Sequence, residues 1–147
     1  MPILRPARAD DLPHVRRLLA DNALPVADLE TAAIEWVVAE DGGRLLGAVG
    51  LEVFDDAALL RSLVVDAGGR GSGLGGALVT AIEAQALASG AGTLSLLTQT
   101  AEPFFARRGW LVVPRDALPA GVQRSGEFRS ICPASATAMV KTLEPAA

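Results

Sequence analysis

The sequence predicts an α+β fold with a mixed, mostly antiparallel sheet flanked by helices. Three strand-like segments follow one another through short turns between Trp36 and Val65, which indicates an antiparallel meander. After Val65 the apolar residues recur every four positions, as in a helix that crosses over to a further strand. The length of 147 residues and the 50% hydrophobic content are typical of one globular domain, which we assign to residues 1–147.

The first predicted elements are a short edge strand and an amphipathic helix. The strand runs from Pro2 to Arg5, and Asp10 or Asp11 can cap the helix that follows. Apolar residues at helical spacing mark its buried face: Leu12, Val15, Leu18 and Leu19. Asn22 ends this helix, and a second short helix is predicted from Val26 to Ala33.

The meander consists of three strands and two turns. Its first strand contains Trp36 to Ala39 and leads into Asp41 to Gly43, a hairpin turn in which glycine adopts positive φ at little cost. Leu45 to Phe54 is the returning strand. Asp55 and Asp56 form the next turn, and the third strand runs from Leu59 to Val65.

The second half of the chain alternates between helices and strands. A helix is predicted from Gly73 to about Ser89, followed by a buried strand, the fifth of the chain, from Thr93 to Thr98. Thr100 is expected to cap a short helix. Trp110 to Val113 and Ala138 to Leu143 are the last strands, side by side in the sheet.

The turn Arg70-Gly71-Ser72-Gly73-Leu74-Gly75-Gly76 separates the third meander strand from the long helix. Its glycines permit unusual backbone angles, and the N–H groups and positive dipole end of the helix face the turn. These properties suit a pyrophosphate. No lysine follows the last glycine as in a Walker A loop, and an antiparallel meander is not the setting of a Rossmann fingerprint. A loop that binds nothing is the equally acceptable alternative.

The composition disfavours several other classes of protein. The net charge of −4 and the scattered arginines do not favour nucleic acid. Cys132 is the only cysteine and His14 the only histidine, so neither a disulfide nor a cysteine-based metal site is expected, and no metal is predicted. No signal peptide and no apolar run of membrane-spanning length are seen. We therefore expect a cytoplasmic protein without nucleic-acid or membrane partners.

The segment from Arg70 to Gly75 resembles the Arg/Gln-x-x-Gly-x-Gly/Ala signature of the GNAT superfamily of N-acetyltransferases. Leu63-Val64-Val65-Asp66 and Phe104 to Trp110 also resemble patterns of that family. The resemblance implies acetyl-coenzyme A as co-substrate, with its thioester in a cleft between splayed fourth and fifth strands. It also implies that the pantetheine arm pairs with the backbone of Leu63 and Val65. The full set of cofactor-binding residues that the resemblance implies is Leu63, Val65, Arg70, Gly71, Gly73, Leu74, Gly75, Gly76 and Phe105.

A narrower resemblance concerns Glu127 to Ala136, Leu60 to Leu63 and Leu96 to Thr100. These segments are similar to the N-acetyltransferases of bacterial arsenic-resistance operons, and the Cys-Pro-x-Ser-Ala tail is similar to N-acetylglutamate synthase-type domains. Both resemblances imply an amino-acid amine as the acceptor. The expected substrate is a small acidic amino acid or a toxic, arsinothricin-like analogue.

Individual residues of these segments are assigned roles in acyl transfer. Glu52 is the candidate general base, with a solvated strand carboxylate as the alternative. Arg61 and Arg129 are candidates to clamp acidic groups of the acceptor, with structural ion pairs as the alternative. Three hydroxyl-bearing residues complete the predicted acceptor site: Ser62, Thr98 and Ser130. The chain has no tyrosine, so the general acid is left unassigned.

Two other functions stay open at this stage. The missing tyrosine is compatible with a sensor that binds acyl-coenzyme A without turnover, and a protein amine is a further conceivable acceptor. Direct transfer is expected, since no histidine lies near Cys132 in sequence to activate its thiol. The sequence leaves the oligomeric state open, with a homodimer as one candidate.

Overall fold

The computed structural model describes residues 2–24, 26–27, 29, 33–126, 128 and 136–144. In this part of the chain it contains seven strands and four α-helices. In chain order these are β1 (Ile3–Pro6), α1 (Leu12–Asp21), β2 (Glu35–Asp41), β3 (Arg44–Phe54), β4 (Ala57–Val65), α2 (Leu74–Ala88), β5 (Thr93–Thr98), α3 (Glu102–Ala106), β6 (Leu111–Val113), α4 (Ala120–Gln123) and β7 (Thr137–Thr142).

The residues cluster into two compact units that share β3 and β4. The first unit comprises residues 1–52 and 60–85, and the second comprises residues 53–59 and 86–147. The strand order is β1-β2-β3-β4 in the first unit and β4-β5-β7-β6 in the second. The parallel pairing of β4 with β5 joins Ala57–Leu59 to Thr93–Ser95, whereas β1–β2, β2–β3, β5–β7 and β6–β7 are antiparallel. The predicted α+β fold with a mixed, mostly antiparallel sheet is confirmed.

In the first unit, helices cover both faces of the sheet. Val15, Leu18 and Leu19 of α1 pack with side chains of β2, β3 and β4 in one buried cluster: Trp36, Val38, Ala48 and Val64. On the other face α2 lies close to β3, because a Cβ on Gly47 would come within 2.9 Å of the Leu78 side chain. The hairpin between β2 and β3 turns at Gly42 and Gly43, whose φ angles are +61° and +84°, as the turn chemistry predicts.

The second unit has its own apolar cluster. Leu59 packs with Leu118, Val122 and Ala138. Helix α4 approaches β3 so closely that a Cβ on Gly121 would lie 2.6 Å from Cβ of Phe54. This short helix is missing from the sequence-based prediction, because four residues carry too little periodicity to be recognised.

Two local predictions are wrong. The described residues of the predicted second helix, Val26, Ala27, Leu29 and Ala33, form turns or irregular backbone. Thr100 does not cap α3: the N-cap residue is Ala101, and the hydroxyl oxygen of Thr98 accepts a hydrogen bond from its N–H at 3.0 Å. The Thr98 bond holds the N-cap residue in place, and no side chain caps the first turn of α3.

Candidate active site

The turn after β4 has the backbone geometry of an anion site. Gly71 and Gly73 have φ angles of +81° and +80°, and a Cβ on either would meet no protein atom within 4 Å. Glycine is therefore favoured at both positions by the backbone conformation and not by crowding. The surface above both residues is left open to a ligand.

Helix α2 begins directly after this turn at Leu74. The first-turn N–H groups of an α-helix have no acceptor within the helix and carry its positive dipole end. Ala77 is bonded to the carbonyl of Gly73 at 3.1 Å, so the preceding N–H groups form the exposed terminus. Leu74 itself is buried through its side chain, which leaves only its backbone for a ligand, while Gly75 and Gly76 are half-buried.

Several side chains hold the turn in place. Arg70 donates from Nε to the carbonyl of Val65 at 3.2 Å and from Nη2 to Oδ1 of Asn22. Ser72 Oγ donates to the carbonyl of Gly69 at 2.6 Å. Asp66 Oδ2 accepts from the N–H of Gly68, at 3.3 Å, just ahead of the turn. Because Arg70 already donates to the carbonyl oxygen of Val65, a pantetheine group bound there would share that oxygen with Arg70. Leu63 and Val65 are both half-buried.

Glu52 on β3 and Arg61 on β4 form a buried ion pair. Arg61 Nη1 lies 2.8 Å from Glu52 Oε1, and the two residues are only 2% and 6% exposed. The alternative of a solvated carboxylate at Glu52 is therefore wrong. The structural ion pair named as the alternative for Arg61 is present, since its buried guanidinium is bound to Glu52, and a role of Arg61 in binding the acceptor stays a prediction.

The backbone next to this pair is strained. Ser62 has a φ of +59°, a region that non-glycine residues rarely occupy. A Cβ placed on Gly50 would lie 3.3 Å from Arg61 Cγ and 3.1 Å from the Trp36 ring. Trp36 also belongs to the buried cluster that contains Val64. Arg61 and Val64 therefore face the same side of the sheet. Residues three apart share a face only where the strand is irregular, as in a bulge. Such strain costs on the order of 1–3 kcal/mol and is concentrated at functional sites.

In the second unit, two predicted site residues have structural partners. The Thr98 hydroxyl oxygen binds the N–H of Ala101. Phe105 is 3% exposed and makes edge-to-face contacts with Phe104 and Trp110, at centroid distances of 5.0 and 5.4 Å. The aromatic ring that the sequence assigned to coenzyme A is thus part of the core. Arg129, Ser130 and Cys132 lie outside the described residues.

Two features, one in each unit, were not predicted from the sequence. Asn22, expected only to end α1, contacts the turn through Arg70. Ser95 on β5 is fully buried, and its hydroxyl has no hydrogen-bond partner among the residues that the structure describes. In the described part of the chain, no cluster of three or more His, Cys, Asp or Glu residues could hold a metal. Nor is any helix there long and apolar enough to cross a membrane.

A family model described as an acetyltransferase (GNAT) domain matches residues 32–111. This match includes β2 to β5, the glycine-rich turn and the Glu52–Arg61 pair. No curated protein matches the chain in sequence.

Solved structures show the same fold. N-acetylglutamate synthase from Neisseria gonorrhoeae, complexed with coenzyme A and N-acetyl-glutamate, is similar at 23% identity and a TM-score of 0.83. The match covers 99% of this chain but only 36% of the synthase chain. Rv2747 from Mycobacterium tuberculosis, in complex with CoA, is 27% identical, with coverage of 97% and 99% and a TM-score of 0.80. Ribosomal-protein-S18-alanine N-acetyltransferase from Escherichia coli is 18% identical, with coverage of 100% and 97% and a TM-score of 0.74.

Proposed function

The chain belongs to the GNAT acetyltransferases, and from that premise we propose that it acetylates the amine of a small acidic amino acid or toxic amino-acid analogue. Acetyl-coenzyme A is the donor. The observation that carries the proposal is the open glycine turn at the start of α2, in the same compact unit as the buried Glu52–Arg61 pair. One feature suits the cofactor's charge and the other suits proton transfer.

The cofactor's pyrophosphate is proposed to lie on the backbone of the turn from Arg70 to Gly76. The N–H groups there suit its oxygens, and the helix dipole favours its negative charge. The backbone of Leu63 and Val65 would follow the pantetheine arm. Support comes from the two neighbours described above as coenzyme A complexes, whose matches cover 99% and 97% of this chain.

The reaction joins the acceptor nitrogen to the acetyl carbonyl carbon and breaks that carbon's bond to sulfur. The amine gives up a proton, and the departing thiolate gains one. Glu52 is proposed to take the amine's proton through an ordered water, because its Oε1 atom is already bonded to Arg61 within the unit. Arg61 is then a positioning residue that fixes the Glu52 carboxylate. With no tyrosine in the chain, we assign protonation of the thiolate to water.

The acidic acceptor is proposed on two grounds. The Cys-Pro-x-Ser-Ala tail resembles N-acetylglutamate synthase-type domains, and a structural neighbour with that name carries N-acetyl-glutamate. Arg129 and Ser130 would bind the acceptor's carboxylates, since a guanidinium pairs with a carboxylate in a bidentate manner. An arsenic-containing acceptor, the cytoplasmic location and a homodimer have only the sequence-based expectation behind them.

A protein amine is the second candidate acceptor. The observation in its favour is that the S18-alanine N-acetyltransferase matches this chain over its full length, with a TM-score of 0.74.

An amine screen with purified protein and acetyl-coenzyme A tests the proposal. The panel contains glutamate, aspartate, an arsenic-bearing glutamate analogue, neutral and basic amino acids, and a peptide with an alanine amino terminus. Thiol release should occur with the acidic amino acids or the analogue, with a mass increase of one acetyl group on the amine. Release with the peptide alone would favour the protein-amine function. Saturable binding of coenzyme A without release for any amine would indicate a sensor.

A further inference from the structure

The C-terminus of α1 is held rigidly beside the coenzyme A turn. The N–H of Leu24 is bonded to the carbonyl of Leu19 at 2.9 Å, and that of Ala23 to Ala20 at 3.1 Å. These two hydrogen bonds form a Schellman motif, in which the residue after the C-cap has a left-handed backbone conformation. Ala23 takes that conformation with a φ of +59°, although it is not a glycine. The two backbone hydrogen bonds fix the position of Asn22, the residue before Ala23.

The side chain of Asn22 makes two hydrogen bonds in opposite directions. Its Nδ2 donates to the carbonyl of Leu18 at 2.9 Å, within α1. Its Oδ1 accepts from Nη2 of Arg70, across the unit. Since one end of the amide requires a donor and the other an acceptor, the orientation of the amide group is determined by its partners.

Arg70 is thereby held at two points. Nε is bound to the carbonyl of Val65 and Nη2 to Asn22. In the described part of the chain, its other three N–H groups have no acceptor. An exposed arginine loses side-chain entropy when it is ordered. The two hydrogen bonds order the Arg70 side chain before any ligand binds, so part of this entropy loss does not occur on binding.

We propose that Asn22 is a positioning residue for the coenzyme A site, acting by holding Arg70 in its binding-competent rotamer at the start of the turn. The inference rests on the proposed function, because it takes the pyrophosphate to be the ligand of Arg70. Asn22 does not touch the cofactor in this scheme. Its effect is pre-organisation, which raises affinity by lowering the ordering cost of binding.

Calorimetric titration of coenzyme A into four proteins tests the inference: wild type, Asn22→Ala, Arg70→Met and the double variant. Asn22→Ala should raise the Kd for coenzyme A about three- to tenfold, and Arg70→Met should raise it further. The double variant should be no weaker than Arg70→Met, because Asn22 acts only through Arg70. In the steady state, Asn22→Ala should raise the KM for acetyl-coenzyme A and leave the KM for the acceptor unchanged.

Ala23→Gly is the matched control, since it relieves the left-handed strain next to Asn22 and keeps both amide contacts. Its affinity should stay within about twofold of wild type. If Asn22 only capped α1, its replacement would lower the melting temperature, and its effect on affinity would be absent or additive with that of Arg70→Met. Either result would overturn the inference while leaving the proposed function intact. Failure of the wild-type protein to bind coenzyme A would instead overturn both.

Discussion

Replacement of Arg61 by methionine should destabilise the protein far more than loss of a surface arginine. Methionine keeps much of the apolar stem and removes the guanidinium, which leaves the Glu52 carboxylate buried without its counter-ion. Breaking a buried ion pair in this way typically costs about 3–5 kcal/mol. The Arg61 side chain is 0% exposed and that of Glu52 is 8% exposed. Because the carboxylate keeps slight access to water, we expect the lower end, about 3 kcal/mol.

Thermal unfolding followed by circular dichroism measures this effect. In a domain of this size each kcal/mol corresponds to about 2–4 °C, so the melting temperature should fall by about 6–12 °C. The double variant Arg61→Met with Glu52→Leu should recover most of that loss, since apolar replacements of both partners are often neutral. A loss of stability in the double variant that is well below the sum of the losses in Arg61→Met and Glu52→Leu is the signature of the pair.

The chain offers a matched control in Arg44 and Asp66. Their nitrogen–oxygen distance is also 2.8 Å, but the Arg44 side chain is 70% exposed. Arg44→Met should therefore cost no more than about 1 kcal/mol. If Arg61→Met lowers the melting temperature no more than Arg44→Met does, water reaches the Glu52 carboxylate. A buried ion pair that positions the base would then be excluded.

Three further predictions concern the turn, the orphan hydroxyl and the pH dependence of stability. Gly73→Glu should abolish the rise in melting temperature with coenzyme A, whereas Gly42→Glu, also at positive φ in open space, should keep it; retained affinity in the first variant would contradict the anion site. Ser95→Ala should leave the free energy of unfolding unchanged or raise it by up to about 1 kcal/mol, and a chemical-denaturation loss above that size would reveal an overlooked partner. Hydrogen bonding to Arg5 lowers the pKa of Asp11 from 3.8 to about 2, so its contribution to stability is present above pH 4 and lost as the pH falls from about 4 to 2; Asp11→Asn should flatten the melting curve's pH dependence in that window, and an unchanged slope would exclude the pairing.

Local patterns in the sequence were sufficient for most of the fold. Strand β5 has the predicted bounds of Thr93 to Thr98. A short apolar run between two nearby glycines and a polar turn is typical of a buried strand. The hairpin at Gly42 and Gly43 and the start of α2 at the glycine turn follow from residue-specific backbone preferences. The residues that determine each of these elements lie within a few positions of one another, so the elements can be recognised from the sequence alone.

Residue types in the candidate site were predictable, but the contacts between its side chains were not. The glycine-rich turn could be recognised because its glycines and the helix after it are adjacent in sequence. Its support by Asn22, 48 residues before Arg70, leaves no local signal. The same applies to Phe105, whose burial depends on Trp110 and on the packing of the second unit.

By itself, the sequence determined the order of the strands along the chain, the glycine-rich turn before α2 and the membership of an acetyltransferase family. Only the tertiary structure decided that Glu52 and Arg61 form a pair. Nine residues separate them on two strands, and regular alternation would give no reason for Arg61 to face the side that carries Val64. The left-handed Ser62 changes that alternation, and its strain is tolerated because the folded unit holds both neighbours in place. Burial, counter-ion and strain are properties of the packed chain, which is why no window of the sequence could contain them.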